Sequence, residues 1–256
     1  MIFVNRILVW VSAAAVLVAL ELLLHTTELY QLLLVVGVLN AVVILSLWQM
    51  TGRQVHKAAF WNFFITPIMA VNSGWSLLIF LESPSTQQLV AFVTTAAVWI
   101  FLKVTFLYFS FRPKYEAHSL ENISSYLNLI TIFLFSSNAF NVIVLLRVPV
   151  WQAALGCVLL FGLLSYQLFW ISDITFRASW RSVLAITLVG AEFFLALSYL
   201  PTSVYVNGLM MTLGYYAMTG LARNWLLNIR EGRVVLRYLL ISFSILAILL
   251  LTAKWV

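Results

Sequence analysis

The run from Val183 to Leu200, VLAITLVGAEFFLALSYL, holds one carboxylate, Glu192, in an otherwise largely apolar sequence. An apolar helix of roughly 20 residues crosses the hydrocarbon core of a bilayer, which is about 30 Å thick. A membrane β-strand would alternate apolar and polar residues over about 10 positions, whereas this run is continuous. The run therefore predicts a transmembrane helix.

Eight further runs of the same kind complete the chain. The nine predicted spans cover approximately 7–24, 30–48, 60–81, 87–109, 125–146, 149–171, 182–200, 203–221 and 234–253. Of all residues 64% are hydrophobic and 9% charged, against about 25% charged in soluble domains, so the chain cannot cover itself with polar surface. We therefore predict an all-α polytopic transmembrane helix bundle that forms one integral membrane domain over residues 1–256.

The basic residues predict an orientation. One set of alternate loops holds 11 of the 14 Lys and Arg residues, the other holds only Arg147 and Lys254, and Lys103 lies within a span. Because Lys and Arg concentrate in cytoplasmic loops, we predict a cytoplasmic N-terminus and an external C-terminus. The net charge of +6 is spread between apolar runs, so we expect the lipid bilayer and no nucleic acid as partner. The expected location is the cell membrane, as a bacterial inner membrane protein.

Glu192 is the most informative residue because it lies near the middle of its predicted span. A charged side chain at the bilayer centre costs about 2.5–3.5 kcal/mol on insertion scales, so we expect Glu192 to face protein or water. Two interpretations stay open. The carboxyl group is either a proton or cation site, or a structural group that hydrogen-bonds a neighbouring helix.

Polar residues on three other spans could complete such a site. Asn72, Ser73, Asn138 and Thr212 are expected near the midplane with Glu192, around a polar cavity. Small and amide side chains also join transmembrane helices, at about 0.6–2 kcal/mol per contact. Both a shared binding site and simple attachment of helix to helix therefore remain possible at this stage.

The connection between the last two predicted spans mixes cationic and apolar residues. Arg223, Arg230 and Arg233 lie in or beside this connection, on the predicted cytoplasmic side. They serve as an orientation signal in one interpretation and bind anionic lipid headgroups in the other.

No catalytic motif is present in the sequence. His-Glu-x-x-His and glycine-rich phosphate-binding loops are absent, so we predict no catalytic residue and no cofactor. Glu21, His25, Glu28 and Glu82 lie near the predicted external edge, where carboxylates and a histidine can bind a divalent cation. Solvated loop residues explain them at least as well, and we predict no metal site.

The stretch from Leu197 to Gly208, LSYLPTSVYVNG, resembles a segment of uncharacterised multi-pass membrane proteins from candidate-phylum bacteria. The resemblance covers this short region. It implies a multi-pass membrane protein and supplies no activity, so no functional residue is carried over from it.

The leading functional hypothesis is a small transporter or permease with a polar midplane site around Glu192, acting on a small polar solute or a proton. The alternative is a non-catalytic membrane scaffold or assembly subunit, present as a homo-oligomer or with a membrane partner. A membrane enzyme that acts on lipid is the third hypothesis, and it depends on the external group around His25.

Overall fold

The computed structural model describes residues 2–26, 28–51, 58–110, 118–229 and 231–253. These residues form helices joined by short connections and contain no strand, as expected where lipid cannot satisfy backbone hydrogen bonds. The helices are α1 (Ile2–His25), α2 (Leu29–Met50), α3 (Ala58–Leu78), α4 (Pro84–Ser110), α5 (Ser119–Leu146), α6 (Val150–Ile171), α7 (Phe176–Ser198), α8 (Val204–Leu226) and α9 (Gly232–Thr252). The predicted all-α helix bundle is confirmed.

Seven of the described helices are long and apolar enough to cross a membrane, namely α1, α2, α4, α5, α6, α7 and α9. This agrees with a multi-pass membrane protein. The other two are α3, which contains Pro67 and the predicted site residues Asn72 and Ser73, and α8, which contains Thr212 and three glycines. Their passage through the membrane and the orientation of both termini stay predictions.

The connection between α7 and α8 is held by side chains. Asn207, which is buried near the start of α8, donates from Nδ2 to the carbonyl oxygen of Leu197 at 3.3 Å and accepts a hydrogen bond from Thr202. The Ser203 hydroxyl caps α8 by accepting from the backbone N–H of Val206 at 3.3 Å. The segment that carries the sequence resemblance is therefore a turn fixed by its own hydrogen bonds.

The chain divides into two compact units, Met1–Thr131 and Ile132–Val256. In the first unit α1 packs against α2 and α4, while α3 packs against α2 and α4. Its core includes fully buried apolar side chains such as Val16, Leu39 and Phe101.

In the second unit α6 and α7 share the most extensive contact, and α8 packs against α6, α7 and α9. Aromatic contacts reinforce this core. The Phe161 and Tyr215 rings meet edge-on with centroids 5.2 Å apart, and the Phe140 and Phe194 rings stack at 4.6 Å. By contrast, no described residue of α9 is buried, so this helix is attached through one side only.

Candidate functional site

The amide of Asn72 joins α3 to α2. Its Nδ2 donates to Oδ1 of Asn40 at 2.7 Å and to the carbonyl oxygen of Ile68 at 2.8 Å. Its Oδ1 accepts from Nδ2 of Asn40 at 3.3 Å and from Nε1 of Trp75 at 3.0 Å. Because an amide side chain has two N–H donors and two acceptor lone pairs, these contacts use its full capacity. Asn72 is thus occupied in holding helices together.

Other polar side chains of the first unit also join helices. Thr66 of α3 donates to Oδ1 of the buried Asn128 in α5 at 3.0 Å. The hydroxyls of Ser12 in α1 and Ser46 in α2 lie 2.6 Å apart. Ser73, the second predicted site residue of α3, is buried at 3% exposure. The hydrogen bonds of this unit therefore resemble structural attachment more closely than the lining of an open cavity.

In the second unit α7 is longer than the predicted span, and this changes the position of Glu192 along its helix. The hydropathy of the run placed the start of the helix at residue 182, but α7 begins at Phe176. At 1.5 Å per residue Glu192 lies about 24 Å from Phe176 and about 9 Å from Ser198. The difference arises because Arg177 and Arg181 lower the hydropathy of the first turns without interrupting their backbone hydrogen bonds. Along the helix, Glu192 is therefore nearer the end that is predicted to be external.

The side chain of Glu192 is exposed on α7. The residues above and below it on the same face, Leu188, Leu195 and Tyr199, are also exposed, at 53%, 37% and 80%. Within the described parts of the chain Glu192 has no hydrogen-bond or ion-pair partner. An acidic side chain thus lies in an apolar surface of a helix that is apolar enough to span the membrane.

The other two predicted site residues of this unit are half-buried, Asn138 in α5 and Thr212 in α8. The Thr212 hydroxyl donates to the carbonyl oxygen of Gly208 at 2.9 Å, a bond within its own helix. Among the described hydrogen bonds none joins Glu192 to either residue. Asn72 and Ser73 belong to the first compact unit, and a site shared by all five residues stays a prediction.

Four buried polar side chains of the second unit were missed by the sequence analysis or were given no role there. The hydroxyls of Ser136, Ser137 and Ser165 and the Nδ2 of Asn141 have no hydrogen-bond partner among the described residues. Each of these residues is at most 5% exposed. Serines are common in transmembrane helices, so only their burial distinguishes them.

The basic residues of the last connection lie at the ends of two helices. Arg223 is half-buried in the last turn of α8, and Arg233 is exposed in the first turn of α9. Arg230 lies outside the described residues.

Two of the carboxylates that are predicted to be external bond to glutamines. Glu21 accepts from Nε2 of Gln88 at 3.1 Å, and Glu28 accepts from Nε2 of Gln31 at 3.3 Å. No group of three or more His, Cys, Asp and Glu side chains that could hold a metal ion occurs in the part of the chain that the structure describes.

Comparison with known proteins gives a family and no activity. No curated protein and no solved structure matches the chain. A family model with the description "Protein of unknown function (DUF5656)" matches residues 11–252, almost the whole length. The expected membership of an uncharacterised family is thus confirmed, whereas an origin in candidate-phylum bacteria stays a prediction. The chain belongs to the DUF5656 family of proteins of unknown function.

Proposed function

We propose that the protein is a non-catalytic membrane scaffold that self-assembles through the exposed face of α7. The observation that carries this proposal is the exposed Glu192 carboxyl, which has no partner among the described residues. An acidic group facing hydrocarbon is costly even away from the bilayer centre, and intramembrane ionisable groups normally face protein or water. A partner on this face removes that cost.

The spacing of the exposed residues suits a helix partner. Ala185, Leu188, Glu192, Leu195 and Tyr199 are separated alternately by three and four positions, and all of them are exposed. This is the spacing of the a and d positions of a heptad, which form the contact line between two supercoiled helices. We call these five residues the α7 seam.

A second copy of the same chain is the partner that the chemistry of the seam favours. Two copies inserted in the same orientation are related by a twofold axis along the membrane normal, so each residue meets its own counterpart at the same depth. Glu192 then meets Glu192. A protonated carboxyl has both a donor and an acceptor, so two of them can form reciprocal hydrogen bonds and leave no polar group facing lipid.

Cysteine crosslinking in vesicles tests the proposal. Cys157 is buried in α6 and is first replaced, Cys157→Ser, to give a background without cysteine. Leu188→Cys and Leu195→Cys are expected to form disulfide-linked dimers on mild oxidation. The matched control is Leu159→Cys, because Leu159 is 67% exposed on α6 and lies outside the seam. Equal crosslinking at Leu159 and at the seam would contradict assembly through α7.

Substitutions of Glu192 test whether the contact between the two α7 helices depends on hydrogen bonds or on apolar packing alone. Glu192→Gln keeps a donor and an acceptor and should leave crosslinking nearly unchanged. Glu192→Leu removes them and should weaken association about 3- to 30-fold, the equivalent of 0.6–2 kcal/mol for an interhelical hydrogen bond. Stronger association of Glu192→Leu would overturn the role of the carboxyl, while loss of crosslinking in every variant would refute self-assembly itself.

A small transporter with a proton or polar solute site is the second candidate. It is supported by the buried polar groups of the second unit that have no partner among the described residues, because hydroxyls and amides of this kind line polar paths in membrane proteins. Proton-coupled uptake into reconstituted vesicles should then be measurable and should fall in Glu192→Gln and in Ser137→Ala. Absence of uptake by the unsubstituted chain across a panel of small polar solutes, or uptake unchanged in both variants, would count against transport.

A further inference from the structure

Helices α1 and α4 lie side by side and run antiparallel. Near the start of α1, Nδ2 of Asn5 donates to the hydroxyl oxygen of Ser110 at the end of α4 at 3.3 Å. Near the opposite ends of the two helices, Nε2 of Gln88 donates to the carboxylate of Glu21 at 3.1 Å. The first turns of α1 and the last turns of α4 therefore meet at one end of the pair, the end that is predicted to be cytoplasmic.

Two tryptophans bring one side of α1 against one side of α4. The Trp10 and Trp99 rings have centroids 5.0 Å apart, and Nζ of Lys103 lies 4.8 Å from the centroid of the Trp99 ring. Arg6 precedes Trp10 by four positions, so both lie on one face of α1. Because the helices are antiparallel, the backbones of Arg6 and Lys103 each lie one turn from the ring contact toward the cytoplasmic end. We call Arg6, Trp10, Trp99 and Lys103 the α1–α4 basic surface.

Both cations of this surface lack a negatively charged partner. Arg6 and Lys103 are exposed, and within the described ranges no carboxylate forms an ion pair with either of them. The Trp99 ring attracts the Lys103 ammonium but carries no net charge. The surface therefore keeps two positive charges, which favour a bound anion.

The length of α4 places Lys103 near the headgroup region. With 27 residues α4 is about 40 Å long, about 10 Å longer than the hydrocarbon core. Lys103 lies seven residues before Ser110, or about 10 Å along the helix. If α4 is placed symmetrically across the bilayer, the Lys103 backbone lies about 5 Å inside the core, within the reach of a lysine side chain. The expected anion is therefore one that the membrane itself presents at this depth.

The same two helix faces continue as exposed apolar surface. Leu17 follows Trp10 by seven positions, and Phe92 precedes Trp99 by seven, so each lies on the face of its tryptophan. Leu17 is 36% exposed and Phe92 is 68% exposed. Both lie about 10 Å deeper than the ring contact. From the cytoplasmic end inward the surface thus changes from basic to aromatic to apolar, in the order that suits a phospholipid.

We propose that the α1–α4 basic surface binds one anionic phospholipid, with its phosphate between Arg6 and Lys103 and an acyl chain along Trp10, Leu17 and Phe92. This site belongs to the first compact unit and is independent of the α7 seam. The ligand class follows from the two ends of the surface. A free phosphate would leave the apolar end unoccupied, and a zwitterionic lipid would bring a cation of its own to two uncompensated cations.

Native mass spectrometry of the full-length protein in detergent tests the proposal. The probes are dioleoyl phosphatidylglycerol, dioleoyl phosphatidylcholine with identical chains, and glycerol phosphate without chains. One phosphatidylglycerol is expected to stay bound, with at least about fivefold preference over phosphatidylcholine. Arg6→Gln and Lys103→Gln should each lower its retention about fivefold, the equivalent of about 1 kcal/mol per cation near an anionic headgroup. Lys103→Arg keeps the charge and should keep the preference.

The matched control is Arg181→Gln, which also removes an exposed cation that lies over an indole ring. The guanidinium carbon of Arg181 lies 5.4 Å from the centroid of the Trp180 ring in α7, outside the proposed site. Retention should not change in this variant. Equal retention of the two lipids by the unsubstituted protein, a loss in Arg181→Gln as large as that in Lys103→Gln, or binding of glycerol phosphate as tight as that of the whole lipid would each overturn the proposal.

Discussion

At Gly208 of α8 the backbone of another helix comes within contact distance. A methyl group on Gly208 would meet the hydroxyl oxygen of Ser137 in α5 and would lie 3.2 Å from the Ser137 backbone nitrogen and 3.4 Å from the carbonyl oxygen of Phe133. The hydroxyl can rotate away, but the backbone atoms cannot. Gly208→Ala should therefore push α8 away from α5.

The loss of stability in Gly208→Ala is estimated by comparison with Gly37, where a methyl group would meet no atom within 4 Å. Both glycines lie within helices, so each Gly→Ala substitution gains about 0.5–1 kcal/mol of helix stability. Only Gly208→Ala also overpacks, which typically costs about 1–3 kcal/mol. The difference in unfolding free energy between the two variants should thus be about 1–3 kcal/mol, in favour of Gly37→Ala.

Thermal unfolding of both variants in the same detergent measures this difference. At about 2–4 °C per kcal/mol for a chain of this size, Gly208→Ala should melt about 2–12 °C below Gly37→Ala. Adding Ser137→Ala to Gly208→Ala should recover part of the loss, since the hydroxyl contact is relieved while the backbone contacts remain. If Gly208→Ala melts at or above Gly37→Ala, the close approach of α5 and α8 is wrong.

Further substitutions test three other contacts. Asn72→Ala should lower the unfolding free energy by about 0.6–2 kcal/mol per lost interhelical contact. The double substitution Asn72→Ala with Asn40→Ala should cost less than the sum of the two single substitutions, because both remove the same contact. Strictly additive effects would contradict the contact between Asn72 and Asn40. Thr66→Val keeps the shape but removes the hydrogen bond to α5, so a stability loss of similar size is expected in chemical denaturation, and an unchanged midpoint would count against the bond. Gly220→Ala places a methyl group where it would overlap the Tyr238 ring of α9. Amide hydrogen exchange should therefore become faster in α9 and not in α6. An equal increase in both helices would contradict a loosely attached α9.

Hydropathy predicted the bounds of some helices closely and those of others poorly. The run 30–48 corresponds to α2, Leu29–Met50, within two residues at each end. It failed at the start of α7 by six residues, because hydropathy reports compatibility with lipid whereas the helix is defined by backbone hydrogen bonds. Arg177 and Arg181 are unfavourable in lipid but are good helix formers, so the helix continues through them.

The candidate residues were predictable by type but not by partner. The sequence singled out Asn72 because an amide within an apolar run requires hydrogen bonds. Its partner Asn40 lies 32 positions earlier on another helix, and no local pattern joins the two. The serines that are buried in the second unit were given no role because their residue type is ordinary in such helices and only packing reveals their burial.

The sequence by itself determined that this chain is a bundle of apolar helices, because the composition and length of each apolar run show that the segment is compatible with lipid. It also identified Glu192 as an acid within such a segment. Only the tertiary structure decided which way each polar side chain faces, since the rotation of a helix about its axis is set by packing against its neighbours. That rotation places Asn72 against α2 and leaves Glu192 exposed on α7. The function of this protein therefore depends on which partner covers the α7 seam in the membrane.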